Sequence, residues 1–200
     1  MATSKTLGAW PMLIAAVGCA LLGAFAQAVN PFLEYRRESL EGLQLWRLLT
    51  AHVAHLGLAH GVLNGAALLL VWRIFRASIG RSEWGWLLLG SVVAVDAGLY
   101  LLSPDVEWYV GASGALHGLF GGSAVLMLGR DARAYGIALL LGLAAKLVWE
   151  QVSGGAMTSA ALGDAPVVTA AHLYGAIGGL SAALLLRARA RGPSSGNDRR

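Results

Sequence analysis

Apolar residues fall along this chain in long unbroken blocks rather than at amphipathic helical spacing or in strand-like alternation. Six of these blocks are long enough to cross a bilayer as helices, which takes about 17 to 25 residues each. They lie near residues 9–29, 56–73, 84–102, 111–129, 135–152 and 167–186. The pattern predicts an all-α membrane protein, a bundle of six transmembrane helices. Its longest connections, near 30–55 and 153–166, leave no room for a soluble domain. Residues 1–190 are therefore read as one membrane domain and residues 191–200 as a basic, disordered tail. The first block has a rival reading, because Lys5, an apolar run and Ala24-Phe25-Ala26 resemble a cleavable signal peptide. Continuation of the run through Gln27-Ala28-Val29 favours a retained helix.

Composition agrees with a membrane solvent. Hydrophobic residues make up 56% of the 200 positions and charged residues 13%, with 27 glycines, and the mean hydropathy is +0.62. That is too apolar for a soluble domain of this length. The net charge of +4 could suggest nucleic acid, yet the basic residues stand in short clusters between apolar blocks, where the positive-inside rule explains them better. Eleven of the fifteen lysines and arginines flank the N-terminus, the second and fourth connections and the tail, against Arg36, Arg37 and Arg47 on the opposite side. Both termini are thus expected on the cytoplasmic side. The single cysteine, Cys19, cannot form an internal disulfide and reads as an apolar thiol.

With that orientation the second, fourth and sixth helices run from outside inward. His60, Ser113 and His172 each fall within the first one or two turns of one of them, so at 1.5 Å per residue they share a shallow depth. A serine becomes a nucleophile when a neutral imidazole accepts its proton, and Ser113 with His172 supplies that pair. Small residues let their helices approach closely: Gly114 and Gly118 on the fourth, Gly175, Gly178 and Gly179 on the sixth. His60 and Asn64, four residues apart, lie on one helical face. With a backbone N–H near Ser113 they form a candidate oxyanion hole. The bland alternatives are a serine bonded back to its own helix and glycines used only for packing.

These residues resemble the rhomboid intramembrane serine proteases. Gly111-Ala112-Ser113-Gly114 is similar to the rhomboid nucleophile motif, Ala171-His172 with Gly175 to its base motif, and His60 with Asn64 to its His-x-x-x-Asn pair. Trp46-Arg47, Thr50, His52 and His55 resemble its first loop. The resemblance implies a six-helix bundle and a Ser113–His172 dyad, open to water from the outer side, that needs no carboxylate to orient the base and turns over slowly. It implies no cofactor and no metal. Many rhomboids carry tyrosine where this chain has His117. That departure, with Lys146-Leu147-Val148-Trp149-Glu150-Gln151, resembles the rhombosortase branch of small bacterial inner-membrane enzymes. The partners implied are single-span membrane proteins ending in Gly-Gly, a membrane span and a basic cluster, cut near the glycines.

Other readings stay open. His117 is a second base, a substrate contact or an aromatic shelf packed on His172. Lys146 and Glu150, spaced i, i+4, either neutralise each other or serve a function. Asp96 has no sequence-local partner; Lys146 or a loop arginine is a candidate. A metal enzyme using His52, His55 and His60 lacks a His-Glu-x-x-His pair, and a transporter should show an internal repeat. A non-catalytic rhomboid-like binding protein should have lost Ser113 or His172, and a general rhomboid protease would act on single-span substrates without Gly-Gly.

Overall fold

The computed structural model describes residues 7–130, 132–155, 159, 162 and 167–191. Lys5, most of the connection over 153–166 and residues 192–200 of the tail lie outside these residues, whereas Arg191, expected to begin the disordered tail, is helical. In chain order the helices are α1 (Ala9–Ala24), α2 (Ala26–Leu33), α3 (Arg37–Glu41), α4 (Arg47–Thr50), α5 (Leu58–Phe75), α6 (Arg81–Leu102), α7 (Ser113–Met127), α8 (Arg133–Ser153) and α9 (Thr169–Arg191). Two short strands, β1 (Tyr35–Arg36) and β2 (Trp108–Tyr109), pair antiparallel with Tyr35 opposite Tyr109.

Among the described residues four helices, α5, α6, α8 and α9, are individually long and apolar enough to cross a membrane. The block expected over 9–29 is instead α1 and α2, bent by 102° at Phe25, which qualify only as a joined pair. The block expected over 111–129 shortens to the 15 residues of α7. At 1.5 Å per residue that is about 22 Å, short of the roughly 30 Å hydrocarbon thickness. Twelve of its fifteen residues are buried, because α7 stands at the centre of the bundle, with α9, α6, α8 and α5 around it.

Glycines set the spacing of this centre. Gly114, Gly118 and Gly122 form one stripe along α7, and a Cβ added at any of them would strike the backbone of α9 at Ala171, Gly175 or Gly179. Gly178 serves a different seam, facing Gly90 and Ala94 of α6. Helix α1 lies on α5 by the same device, with Gly61 and Gly65 against the backbone of Cys19 and Ala16. Close backbone approach of this kind supplies packing where lipid offers no hydrophobic drive.

The first loop is tied down by its charged and aromatic residues. The Arg47 guanidinium is buried and donates to the carbonyls of Pro31 (2.7 Å) and Glu34 (2.8 Å) and to Gln44 Oε1 (2.7 Å). Thr50 donates to Leu33 O at 2.7 Å and Trp46 Nε1 to Phe32 O at 3.1 Å. Arg37 donates to the carbonyls of Leu99, Tyr100 and Ser103, covering the last turn of α6 with positive charge where the helix dipole is negative. Asp96 of α6 takes neither partner considered for it; His52 of the loop approaches it at 3.1 Å.

Candidate active site

Ser113 is the first residue of α7, and the loop before it fixes where that helix begins. Gly111 has φ +126°, a left-handed conformation that favours glycine, and a Cβ there would also meet the His60 ring at 2.8 Å. The Gly111 N–H donates to Ala51 O at 2.9 Å. Its carbonyl accepts from the buried Tyr109 hydroxyl at 2.6 Å. Burial holds that phenol well above its ordinary range, so Tyr109 remains a neutral donor. The loop joins Ser113 to β2 and, through β1, to the first loop.

From α9, His172 brings Nε2 to 2.8 Å from Ser113 Oγ. The small-residue contact expected between these helices brings the two groups together: Gly114 follows Ser113 directly, and Gly175, three residues past His172, packs on its backbone. His172 is buried.

His60 and Asn64 both line the cavity that contains Ser113. His60 Nδ1 accepts the Leu56 N–H at 3.2 Å, which leaves the proton of the neutral ring on Nε2, the nitrogen beside Gly111. Asn64 Nδ2 spends one proton on His60 O at 3.0 Å and keeps a second. The N–H of Ser113, in the first turn of α7, has no intrahelical carbonyl to meet. Three groups with donors of different kinds therefore belong to residues that line the same cavity as the hydroxyl.

Two side chains complete the surroundings of His172, one of them unforeseen. His117 lies flat on it, ring centroids 4.2 Å apart at 14°. Its Nδ1–H donates to Ser113 O at 2.7 Å. The departure is at Nδ1 of His172, which lies 2.8 Å from Glu150 Oε2. Glu150 also pairs with Lys146, as the i, i+4 spacing suggests, so its two oxygens serve different partners. The depth argument could have found it. Helix α8 runs opposite to α7 and α9, so its final turns meet their first turns, and Glu150 is three residues from its end.

The cavity holds about 350 Å³ and is lined by Leu56, His60, Leu63, Asn64, Trp108, Tyr109, Ser113, His117, Lys146, Leu162, Val167, Val168 and His172, with Ala67 and Val110. A second, almost wholly apolar cleft of about 320 Å³ shares Asn64, Ala67, Ser113, His117 and Lys146 with it and continues between α5 and α8 along Leu70, Val71, Leu116, Phe120 and Leu143. His52 and His55 stand apart from His172. His52 is on Asp96, and His55 is buried edge-on to His60 at 5.2 Å.

The family described as Rhomboid domain matches residues 42–189. A Bacillus subtilis (strain 168) protein described as "Putative rhomboid protease YdcA" is 31% identical over 86 residues, 43% of this chain. The match spans 43% of that relative's own length.

Proposed function

Because the chain belongs to the rhomboid family, we propose that it is an intramembrane serine protease in which Ser113 is the nucleophile and His172 the base. The single observation that carries this reading is the 2.8 Å contact between Ser113 Oγ and His172 Nε2 at the wall of a cavity. Ser113 gives its proton to His172 Nε2 as Oγ attacks the peptide carbonyl. The developing oxyanion receives the His60 Nε2–H, the free Asn64 N–H and the Ser113 backbone N–H. The protonated His172 then gives its proton to the leaving amine, and water resolves the acyl-enzyme.

Substrates are single-span membrane proteins. The apolar cleft between α5 and α8 is suited to the edge of a substrate's membrane segment, and the cavity at Ser113 to a locally unwound stretch. Glycine at the cleavage site favours both unwinding and entry into a crowded site. The similarity of the His117 and Lys146–Gln151 segments to the rhombosortase branch supports substrates ending in Gly-Gly, a span and a basic tail. In this reading six segments cross a bacterial inner membrane, α7 among them. Both termini are cytoplasmic, residues 1–190 form the membrane domain and 191–200 the tail, and the site opens to the outer side.

The test is turnover of a membrane peptide of that form by the full chain in liposomes. Ser113→Ala and His172→Ala each abolish cleavage and fluorophosphonate labelling, and the double variant is no worse than either alone. Residual proteolysis by purified Ser113→Ala protein sinks the serine mechanism. Equal cleavage of a peptide with Gly-Gly replaced by Leu-Leu leaves general rhomboid proteolysis and removes the Gly-Gly specificity.

A further inference from the structure

Glu150 is a carboxylate buried to 3% exposure in a helix of the bundle, and a charge in that position is tolerated only when it is paired. Its pairing is divided. Oε1 holds the ammonium of Lys146, whose own side chain remains half exposed in the cavity. Oε2 holds His172 Nδ1 at 2.8 Å, and the other nitrogen of the same ring holds Ser113 Oγ at 2.8 Å. Carboxylate, imidazole and hydroxyl, drawn from α8, α9 and α7, thus stand in one hydrogen-bonded line.

Tautomer choice gives the line its meaning. A neutral imidazole has one N–H and one lone pair, and only the form with its proton on Nδ1 can accept from Ser113 at Nε2. A carboxylate accepts and never donates, so Glu150 selects that form and fixes the ring's rotation. We propose that Glu150 is the positioning residue of a serine–histidine–glutamate triad, holding His172 in the tautomer that accepts the Ser113 proton and stabilising the imidazolium formed when it does. This rests on the assignment of Ser113 and His172 above. In the first step the Oγ–H proton passes to Nε2 while the Oγ–C bond forms and the carbonyl pair moves to oxygen. In the second that pair returns, the C–N bond breaks and the Nε2 proton leaves with the amine. Glu150 stays a carboxylate throughout and neither gains nor loses a proton. Lys146 anchors the oxygen that His172 does not use.

The same three side chains, His117, Glu150 and His172, also offer donor atoms within 4.8 Å of one another, so a metal ion is the competing occupant. Ring geometry argues against it. The two imidazoles are nearly parallel at 4.2 Å, and non-bonded rings keep about 3.5 Å or more between their planes. An ion about 2.0 to 2.1 Å from both nitrogens would lie well out of both planes, whereas the nitrogen lone pairs lie within them. A proton on Nδ1 satisfies His172 and Glu150 with no such distortion.

The decisive variant is Glu150→Gln in the full-length protein, assayed in liposomes with a Gly-Gly membrane peptide and with a fluorophosphonate. An amide can donate to Nδ1 and place the imidazole proton on Nε2, facing Ser113. We expect kcat to fall about 10³- to 10⁴-fold, the scale for loss of the corresponding aspartate in a soluble triad, with KM held within about twofold and labelling slowed in the same proportion. Glu150→Asp, which keeps the charge, retains at least tenfold more turnover than Glu150→Gln. A folded Glu150→Gln protein with more than a tenth of wild-type kcat overturns the inference. Should that variant not fold, Glu150→Asp decides alone. Its shorter carboxylate reaches Nδ1 less well, so kcat falls about tenfold at constant KM, and wild-type kcat overturns the inference. Loss of turnover on chelation would favour the metal and overturn it as well. If Ser113→Ala or His172→Ala retains activity, the underlying protease assignment has failed. If both are dead and Glu150→Gln is not, only the role of Glu150 has failed.

Discussion

Replacing Gly175 by alanine tests whether the distance between α7 and α9 governs the site. The added methyl would stand 2.5 Å from the carbonyl carbon of Gly114 and closer still to its oxygen. Carbon atoms settle at about 3.5 Å, so the helices must part locally by about 1 Å. Neither obstacle is a flexible side chain that could swing aside. Ser113 adjoins Gly114 and His172 lies one turn before Gly175, so the displacement falls on the 2.8 Å hydrogen bond between them and carries it beyond hydrogen-bonding range. A misplacement of about 1 Å costs on the order of 10²-fold in rate, and overpacking about 1 to 3 kcal/mol of stability. Gly175→Ala is therefore expected to remain folded, with a lowered Tm, a kcat about a hundredfold below wild type and slowed fluorophosphonate labelling. Gly85→Ala on α6, where a Cβ meets nothing within 4 Å, serves as the control and should match wild type in both assays. Wild-type kcat in Gly175→Ala would refute the reasoning, because it would mean the seam can open without disturbing the pair.

Three further outcomes are expected. Asn64→Ala lowers kcat about 10²- to 10³-fold, softened to about tenfold if His60 and the backbone N–H compensate, while a Ser113→Ala, Asn64→Ala protein binds substrate peptide as well as Ser113→Ala does; parallel loss of binding and turnover would make Asn64 a packing residue. Burial lowers His55 from 6.5 to about 4, so the unfolded chain takes up the proton first, and its contribution to stability, full above pH 6.5, is lost as pH falls toward 4. The size is about 3 kcal/mol; His55→Gln should flatten thermal stability between pH 7 and pH 4.5 relative to wild type, and an unchanged slope would count against it. Cysteine probes near Asp105 should react with impermeant reagents from outside and probes near Arg76 or Arg189 should not; the reverse would put Ser113 on the cytoplasmic side.

Blocks of apolar residues and the depth shared by three polar ones carried much of this arrangement into the sequence. They located α5, α6 and α8 to within three residues of their boundaries and α9 to within five, and they put Ser113, His172, His60 and Asn64 at one depth; the four line one cavity. The bend at Phe25 left no such trace, because apolar composition continues through it and the turn is made by backbone geometry. The length of α7 was also hidden. Hydropathy does not distinguish a helix wrapped by protein from one bathed in lipid, and the flanking Gly111-Ala112 and Leu128-Gly129 are as apolar as the helix itself. The pairing of Glu150 with Lys146 is visible in the sequence because i, i+4 spacing is local, whereas its contact with His172 depends on how α8 and α9 meet. Asp96 with His52 is the same case, since a loop folded back onto a helix has no periodic signature.

The stripe of Gly114, Gly118 and Gly122 against Gly175 and Gly179 has a consequence for how such a chain can change over time. Every amino acid reachable from a glycine codon by one base change is larger than glycine, so these positions have no small step to take. Drift that could widen or shift the centre by tenths of an ångström is closed off there. Variation that retunes the site must come from α5, α8 and the first loop, whose side chains border the cavities without setting the distance between the two central backbones.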